Sequence, residues 1–421
     1  MWHPKKHLAE IFRRPAHNES VIDGLRAIAI VLVVCFHSFF FSQYVFSEKS
    51  AYLSFVESVP ALLNWVWQGD KGVDIFFVIS GFLIGRILIT QTLEKGRSDL
   101  RGFFLKRILR IVPLYLLALA AFSIGNDNAV HFWRNLLFIN NFTPIEELFI
   151  PWSWSITIEM QFYLVCPLII FLVVGRLRHV VGVLALLVVV AALVRLILLG
   201  LHQDYYQNSL LDIYLSGNEA LALGYLDTLY INLYSRAGPL LSGLLAAYIC
   251  VAHADRLQHW LGARPWVSHL LVLGSLATIV GIFFHPTHLP TNHADWNAEQ
   301  NFYYLALARN FLGLAVAILV VLCVLTIPAA SIVRGFLSSR LWFPISQTSY
   351  CIYLFHVPFL FLAYFLVVGV EPVLTLSLFE LIPIAVLTLV FTFVFGVLTF
   401  VAIERPMIQT YGWIRGKGTR A

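Results

Sequence analysis

Two ionisable side chains stand eleven residues apart in the first long apolar stretch: Arg26 and His37 of Asp23-Gly-Leu-Arg-Ala-Ile-Ala-Ile-Val-Leu-Val-Val-Cys-Phe-His37. On an α-helix that spacing is close to three turns, so both lie on one face, ~16 Å apart along the axis. With a helix entering a bilayer near Ala27, Arg26 marks its mouth and His37 lies about 15 Å deep, near the middle of a ~30 Å hydrocarbon core. An ionisable group at that depth is costly, which makes function its default reading; a packed histidine bonded to a neighbouring helix is the alternative. Histidine can move a proton near neutral pH. Arginine can hold an anionic group at the membrane surface.

The same logic selects further candidates. His356, in Ser349-Tyr-Cys-Ile-Tyr-Leu-Phe-His-Val-Pro358, falls about twelve residues into an outward-running helix, where catalysis and structure are both open. Tyr353, in the same motif, is assigned to the substrate. Glu159 falls about five residues into an inward-running helix, in the outer third, where it pairs with a cation or orients a histidine. Arg107 and Arg110 share a face at the inner mouth of the third helix. With Arg26 they can converge on a polyphosphate, although such clusters also serve topology alone. Arg236 and Arg309, near the outer ends of their helices, either snorkel or meet an oxyanion or an anionic acceptor.

Other polar features read as structure. Ser80-Gly81 reads as a helix-packing contact, and Trp152 and Trp154 as interface residues. The outer run His285, His288, His293 and Asp295 fits no zinc spacing, so no metal is expected. Cys35 and Cys351 are conceivable nucleophiles, but buried thiols are mostly inert. The segment 202–235 carries six tyrosines (Tyr205, Tyr206, Tyr214, Tyr225, Tyr230, Tyr234). They are interface anchors or a platform for an amphipathic acceptor.

These residues need a membrane bundle to position them. The chain of 421 residues is 59% hydrophobic and only 12% charged, far from the balance of a soluble domain. Apolar periodicity predicts an all-α polytopic bundle of about ten spans, at 27–46, 73–93, 109–125, 154–174, 178–201, 236–253, 266–285, 303–327, 344–369 and 376–403. Strand-built barrels would show alternating segments, and none is found. A basic segment 1–26, a membrane domain 27–403 and a tail 404–421 follow, with no cleavable leader expected. Of the 28 lysines and arginines, 21 fall in the segments on one side of this threading; only Lys49, Lys71 and Arg134 fall in the opposite loops. Both termini are therefore expected in the cytoplasm. The net charge of +5 follows that topology and is no sign of nucleic-acid binding. The five cysteines all lie in apolar runs without paired spacing, against disulfides. No P-loop or dinucleotide fingerprint is present.

Taken together, these stretches resemble the acyltransferase-3 family of bacterial membrane acyltransferases. The resemblance runs through Asp23-Gly-Leu-Arg26, the pair Arg26 and His37, and Gly72-Val-Asp-Ile-Phe-Phe-Val-Ile-Ser-Gly-Phe-Leu-Ile84. It continues through Arg107 and Arg110 with Pro113-Leu-Tyr115, Trp154-Ser-Ile-Thr-Ile-Glu-Met-Gln-Phe-Tyr163, the His356 motif and Ile403-Glu-Arg-Pro406. It implies a ten-helix protein of the bacterial inner membrane. Such a protein moves an acyl group, usually acetyl, from cytoplasmic acyl-CoA to a hydroxyl, commonly of an envelope polysaccharide, lipopolysaccharide or lipid-linked glycan. A stand-alone form without a fused outer hydrolase-like domain is expected. Arg26, Arg107 and Arg110 would bind the phosphates of acetyl-CoA. His37 would act as base or be acylated itself. Acylation of a small secreted molecule such as a macrolide, or membrane transport of a substrate, remain the alternatives.

Overall fold

A computed structural model describes residues 3–15, 19–215, 218–286 and 296–415. Ten helices of membrane length run through it: α1 (Ser20–Phe40), α2 (Gly72–Lys95), α3 (Leu100–Phe122), α4 (Trp154–Val173), α5 (Val180–Gly200), α6 (Leu233–Ala252), α7 (Pro265–Phe283), α8 (Ala298–Val324), α9 (Trp342–Val367) and α10 (Leu378–Thr399). Nine stretches among the described residues are long and apolar enough to cross a membrane. The tenth helix, α3, falls short because Arg101, Lys106, Arg107 and Arg110 crowd its first half. The all-α polytopic bundle is as expected, and no β-strand is present among the described residues.

Two boundaries differ instructively. The first helix starts at Ser20, a turn and a half before Arg26, which therefore lies inside it and not at its mouth. Asp23 makes this possible: it is buried, paired with Arg14 at 3.1 Å and bonded by Ser346 at 3.1 Å, so a polar first turn is satisfied within the protein. Likewise α3 begins at Leu100 and not near residue 109, because Asp99 caps it by accepting the Gly102 N–H at 3.0 Å.

The packing centre is the pair α2 and α6. A Cβ on Gly81 would lie 2.0 Å from the Leu240 carbonyl oxygen, and one on Gly243 would lie 2.1 Å from that of Val78. Bare glycines let the two backbones touch, which is how helices gain packing energy where lipid already solvates apolar side chains. Ser80-Gly81 is thus a packing contact, although Ser80 also serves the site. Helix α5 lies at the other extreme, with mean hydropathy 3.0 and only 28% of its apolar window buried, so most of its surface faces lipid.

An amphipathic helix, Arg405–Ile414, continues from α10 beyond a wide turn at Phe400–Glu404, and the N-terminal helix Pro4–Phe12 docks on it. Gln409 Nε2 donates to His7 Nε2 at 3.1 Å, and Glu10 pairs with Arg405. The first and last helices of the described residues therefore share one face of the bundle. On the opposite face Tyr364 of α9 donates to the Ser38 carbonyl of α1, and Val373 N–H donates to the Val45 carbonyl at 2.9 Å. These ties hold α1 against α9 at the level of His37 and His356.

Candidate functional site

His37 and His356 come from helices 319 residues apart and meet ring to ring, with centroids 4.7 Å apart. Their hydrogen bonds fix one proton pattern for neutral rings. The Tyr353 carbonyl can only accept, so His356 Nδ1–H donates to it at 2.6 Å, leaving a lone pair on His356 Nε2. That nitrogen is 3.0 Å from His37 Nδ1, which also faces the Val33 carbonyl at 3.0 Å. His37 Nδ1 therefore carries a proton, and its lone pair sits on Nε2. Nε2 has no partner among the described residues. Phe41 stacks on the His37 ring at 5.3 Å and Phe36 meets it edge-on at 5.1 Å, limiting its rotation. His356 is wholly buried and His37 half-buried.

His37 lines a cavity of about 440 Å³ walled by aromatic side chains, including Phe40, Phe41, Trp67 and Trp152. A second cavity of about 100 Å³ lies toward the face of the termini, lined by Arg26, Arg107, Arg110, Ser80, Glu159, Tyr163 and Tyr350. The three arginines make no hydrogen bond or ion pair there among the described residues. Arg107 only lies over the rings of Phe103 at 5.7 Å and Tyr163 at 5.4 Å. Three guanidinium groups on one cavity wall have the chemistry to hold an anionic group.

Glu159 belongs to this arginine cavity. Ser80 Oγ donates to its Oε1 at 2.5 Å and the Tyr163 hydroxyl donates to the same oxygen. Among the described residues it bonds neither a histidine nor a cation, although it shares the cavity with the three arginines. Its helix starts at Trp154, directly after a tight turn at Pro151–Ser153.

The two cavities have Val73 and Tyr353 in common, which places these residues at the junction. The Tyr353 hydroxyl donates to the Trp152 carbonyl at 2.6 Å and lies 2.6 Å from Ser155 Oγ, which donates to it. Tyr353 thus fixes the junction with its side chain and His356 with its carbonyl. Arg26 lines the small cavity and His37 the large one, so one face of α1 serves both.

Arg236 and Arg309 do not snorkel. Both are buried, and Asp74 accepts from Arg236 at 3.0 Å and from Arg309 at 2.5 Å. Arg309 also bonds Asp70 at 2.6 Å, and Asp70 is 3.4 Å from Lys71. Arg236 further donates to the Tyr230 carbonyl at 2.8 Å and lies over the Trp154 ring at 4.8 Å. It lines neither cavity, whereas Arg309 lines the large one. Arg195, fully buried, donates to the carbonyls of Leu229, Ser235, Leu305 and Ala306, filling the gap where α5, α6 and α8 diverge. Burial and Lys71 hold the His285 imidazole down to about 4, so it is neutral as it stacks on Tyr304 at 4.0 Å.

Sequence reasoning missed Asp70, Lys71, Asp74 and Arg195. The signal was present, since carboxylates beside an apolar span require partners. His288, His293 and Asp295 lie outside the described residues, as does the side chain of Tyr214. Of the other tyrosines, Tyr225 and Tyr230 line the large cavity, whereas Tyr234 is exposed.

A family profile described as "Acyltransferase domain" matches residues 20–401. The chain is 29% identical over 423 residues to the peptidoglycan O-acetyltransferase OatA of Listeria monocytogenes, covering 93% of this chain and 56% of that protein. It is 25% identical over 371 residues to the O-acetyltransferase OatA of Staphylococcus aureus (80% and 50% covered). To the nose resistant to fluoxetine protein 6 of Caenorhabditis elegans it is 22% identical over 389 residues (83% and 46% covered). The chain thus spans about half the length of these relatives. No solved structure matches it.

Proposed function

The chain belongs to the acyltransferase-domain family, and on that premise we propose that it is a membrane O-acetyltransferase that uses acetyl-CoA from the cytoplasm to esterify a hydroxyl of an envelope carbohydrate. The observation that carries this reading is the pair of cavities sharing Tyr353 and Val73, one with three arginines that close no ion pair among the described residues, the other with a histidine lone pair. The first suits the phosphates of a nucleotide thioester. The second suits a hydroxyl that must lose a proton. The charge count puts the arginine side in the cytoplasm, and the two OatA relatives are O-acetyltransferases by name, one of them of peptidoglycan.

In this mechanism Arg26, Arg107 and Arg110 hold the donor's phosphates while its thin arm carries the thioester toward Tyr353. An acceptor hydroxyl enters the large cavity, where aromatic walls suit sugar faces. His37 Nε2 takes the hydroxyl proton as the oxygen attacks the thioester carbonyl carbon. The carbon–sulfur bond then breaks, and the proton on His37 returns to the departing thiolate, leaving the base as it began. His356 is a positioning residue that keeps the His37 lone pair on Nε2. Glu159, fixed by Ser80 and Tyr163, balances the arginines without closing on them.

Mass spectrometry of envelope glycans from cells with and without the chain tests the reaction. Alkali-labile acetyl groups should depend on it, and an unchanged glycan acetylation pattern would contradict it. Donor binding has a separate signature. Arg107→Ala and Arg110→Ala should each weaken acetyl-CoA binding about tenfold or more, since a bond to a charged group contributes ~1.5–3 kcal/mol. Titration calorimetry that returned wild-type affinity for both variants would reduce the pair to topology determinants.

A further inference from the structure

A third cavity, of about 380 Å³, lies between α3 and the helix Arg405–Ile414, on the face of the termini. Arg107 and Arg110 line it as well as the arginine cavity, so the two adjoin. Its other polar lining is Gln91, Asp99, Lys106 and Tyr411. The Lys106 ammonium lies 4.8 Å from the centre of the Tyr411 ring and makes no hydrogen bond or ion pair among the described residues. A Cβ on Gly102 would come within 3.0 Å of the Tyr411 hydroxyl and 2.4 Å of Asp99 Oδ2, so glycine is what lets Tyr411 close over the start of α3. Asp99 accepts from Gly102 and pairs with Arg415 at 2.5 Å, tying the C-terminal helix to α3. The Gly102 N–H, with Arg415 beside it, holds the Asp99 carboxyl below its usual range, so this anion is already engaged.

Size divides the donor between these spaces. The arginine cavity, at about 100 Å³, admits a thin arm and phosphate groups but no nucleoside. Pockets for drug-sized ligands run from ~300 to ~1,000 Å³, and the third cavity falls in that range. It supplies an aromatic face for a base and an unpaired ammonium for a phosphate, next to the arginines that both cavities have in common.

We propose that the 3′-phosphoadenosine end of the donor lies in this third cavity, with its base against Tyr411 and its 3′-phosphate at Lys106, while Arg107 and Arg110 take the pyrophosphate. The inference rests on the acyl-CoA reading above and extends it. The amphipathic C-terminal helix becomes part of the donor site, and acyl donors lacking the nucleotide are discriminated against here. An anionic lipid headgroup is the competing occupant.

The test compares kcat/KM for acetyl-CoA with that for S-acetyl-pantetheine, which lacks the nucleotide, using the full-length protein in detergent. Wild type should prefer acetyl-CoA. Tyr411→Ala and Lys106→Ala should each shrink that preference about tenfold, the scale of a lost base–aromatic stack or phosphate contact. Tyr411→Phe should retain it. Because Lys106 is exposed, its truncation gives a second reading if Tyr411→Ala folds poorly. Wild-type turnover with an unaltered preference in both alanine variants would overturn the cradle alone. Wild-type protein that used acetyl-pantetheine as well as acetyl-CoA would overturn it too. Absence of any acetyl-CoA turnover by wild type would instead overturn the donor reading, and the cradle with it.

Discussion

His37→Ala should lower acetyl transfer by about 10²–10⁴-fold, the contribution of a general base, while the protein still inserts and purifies normally. The effect is large because the other candidate bases are already engaged: Asp70, which shares the large cavity with His37, pairs with Arg309 and Lys71. His356, the next titratable ring, donates its Nδ1 proton to the Tyr353 carbonyl and has its Nε2 against His37, so neither nitrogen is turned to an acceptor. Glu159 lies in the arginine cavity, beyond the junction. Removing His356 should cost less. His356→Ala leaves the base present but its proton pattern unfixed, and the loss should not exceed the roughly 10⁴-fold that a mis-oriented histidine costs a hydrolytic triad. A shifted pH–rate profile in His356→Ala, with donor affinity unchanged, would mark positioning; a uniform loss of folded protein would mark structure alone. Wild-type rates from normally folded His37→Ala protein would remove His37 from the chemistry.

Asp74→Ala should destabilise the bundle by about 3–5 kcal/mol, the cost of breaking a buried ion pair from one side. Asp74 is fully buried and accepts from two guanidinium groups, Arg236 of α6 and Arg309 of α8, while itself belonging to α2. Its removal leaves Arg236 with the Tyr230 carbonyl as its remaining hydrogen-bond partner, because Arg236 Nη2 is already buried without one. Arg309 retains Asp70. The strain therefore falls on the α2–α6 contact, where Gly81 and Gly243 demand close backbones. Thermal unfolding in detergent reads the effect directly: the midpoint should drop sharply for Asp74→Ala and nearly as far for Asp74→Asn. An unchanged midpoint in both would mean that the network is not what joins these helices.

The bundle was largely legible in the sequence because apolar length and basic asymmetry are local properties. Each span announces itself, and lysines and arginines announce its orientation. The one face of α1 that carries Arg26 and His37 was legible for the same reason, since spacing along a helix fixes angle. Contacts between helices are not local. Nothing in the spacing of Arg236 and Arg309 says that α2 packs beside both their helices, so Asp70 and Asp74 passed unremarked although a buried carboxylate must have a partner. His37 and His356 were each legible as costly intramembrane groups, but their meeting depends on α1 packing against α9. Helix starts misled where polar side chains are satisfied inside the protein: Asp23 extends α1 and Asp99 extends α3, so the arginines lie further from the helix starts than expected. The cavity at Tyr411 had no sequence signal at all, because it forms only where the C-terminal helix folds back on α3.

Purified protein reconstituted in vesicles, with labelled acetyl-CoA on one side and peptidoglycan fragments on the other, tests the central claim most directly. Orientation is set by protease access to a C-terminal tag. Alkali-labile labelled ester should form on the fragments only when acetyl-CoA is on the side of the termini, and His37→Ala vesicles should form almost none. Ester formation by His37→Ala at the wild-type rate, or from acetyl-CoA supplied only opposite the termini, would contradict the account.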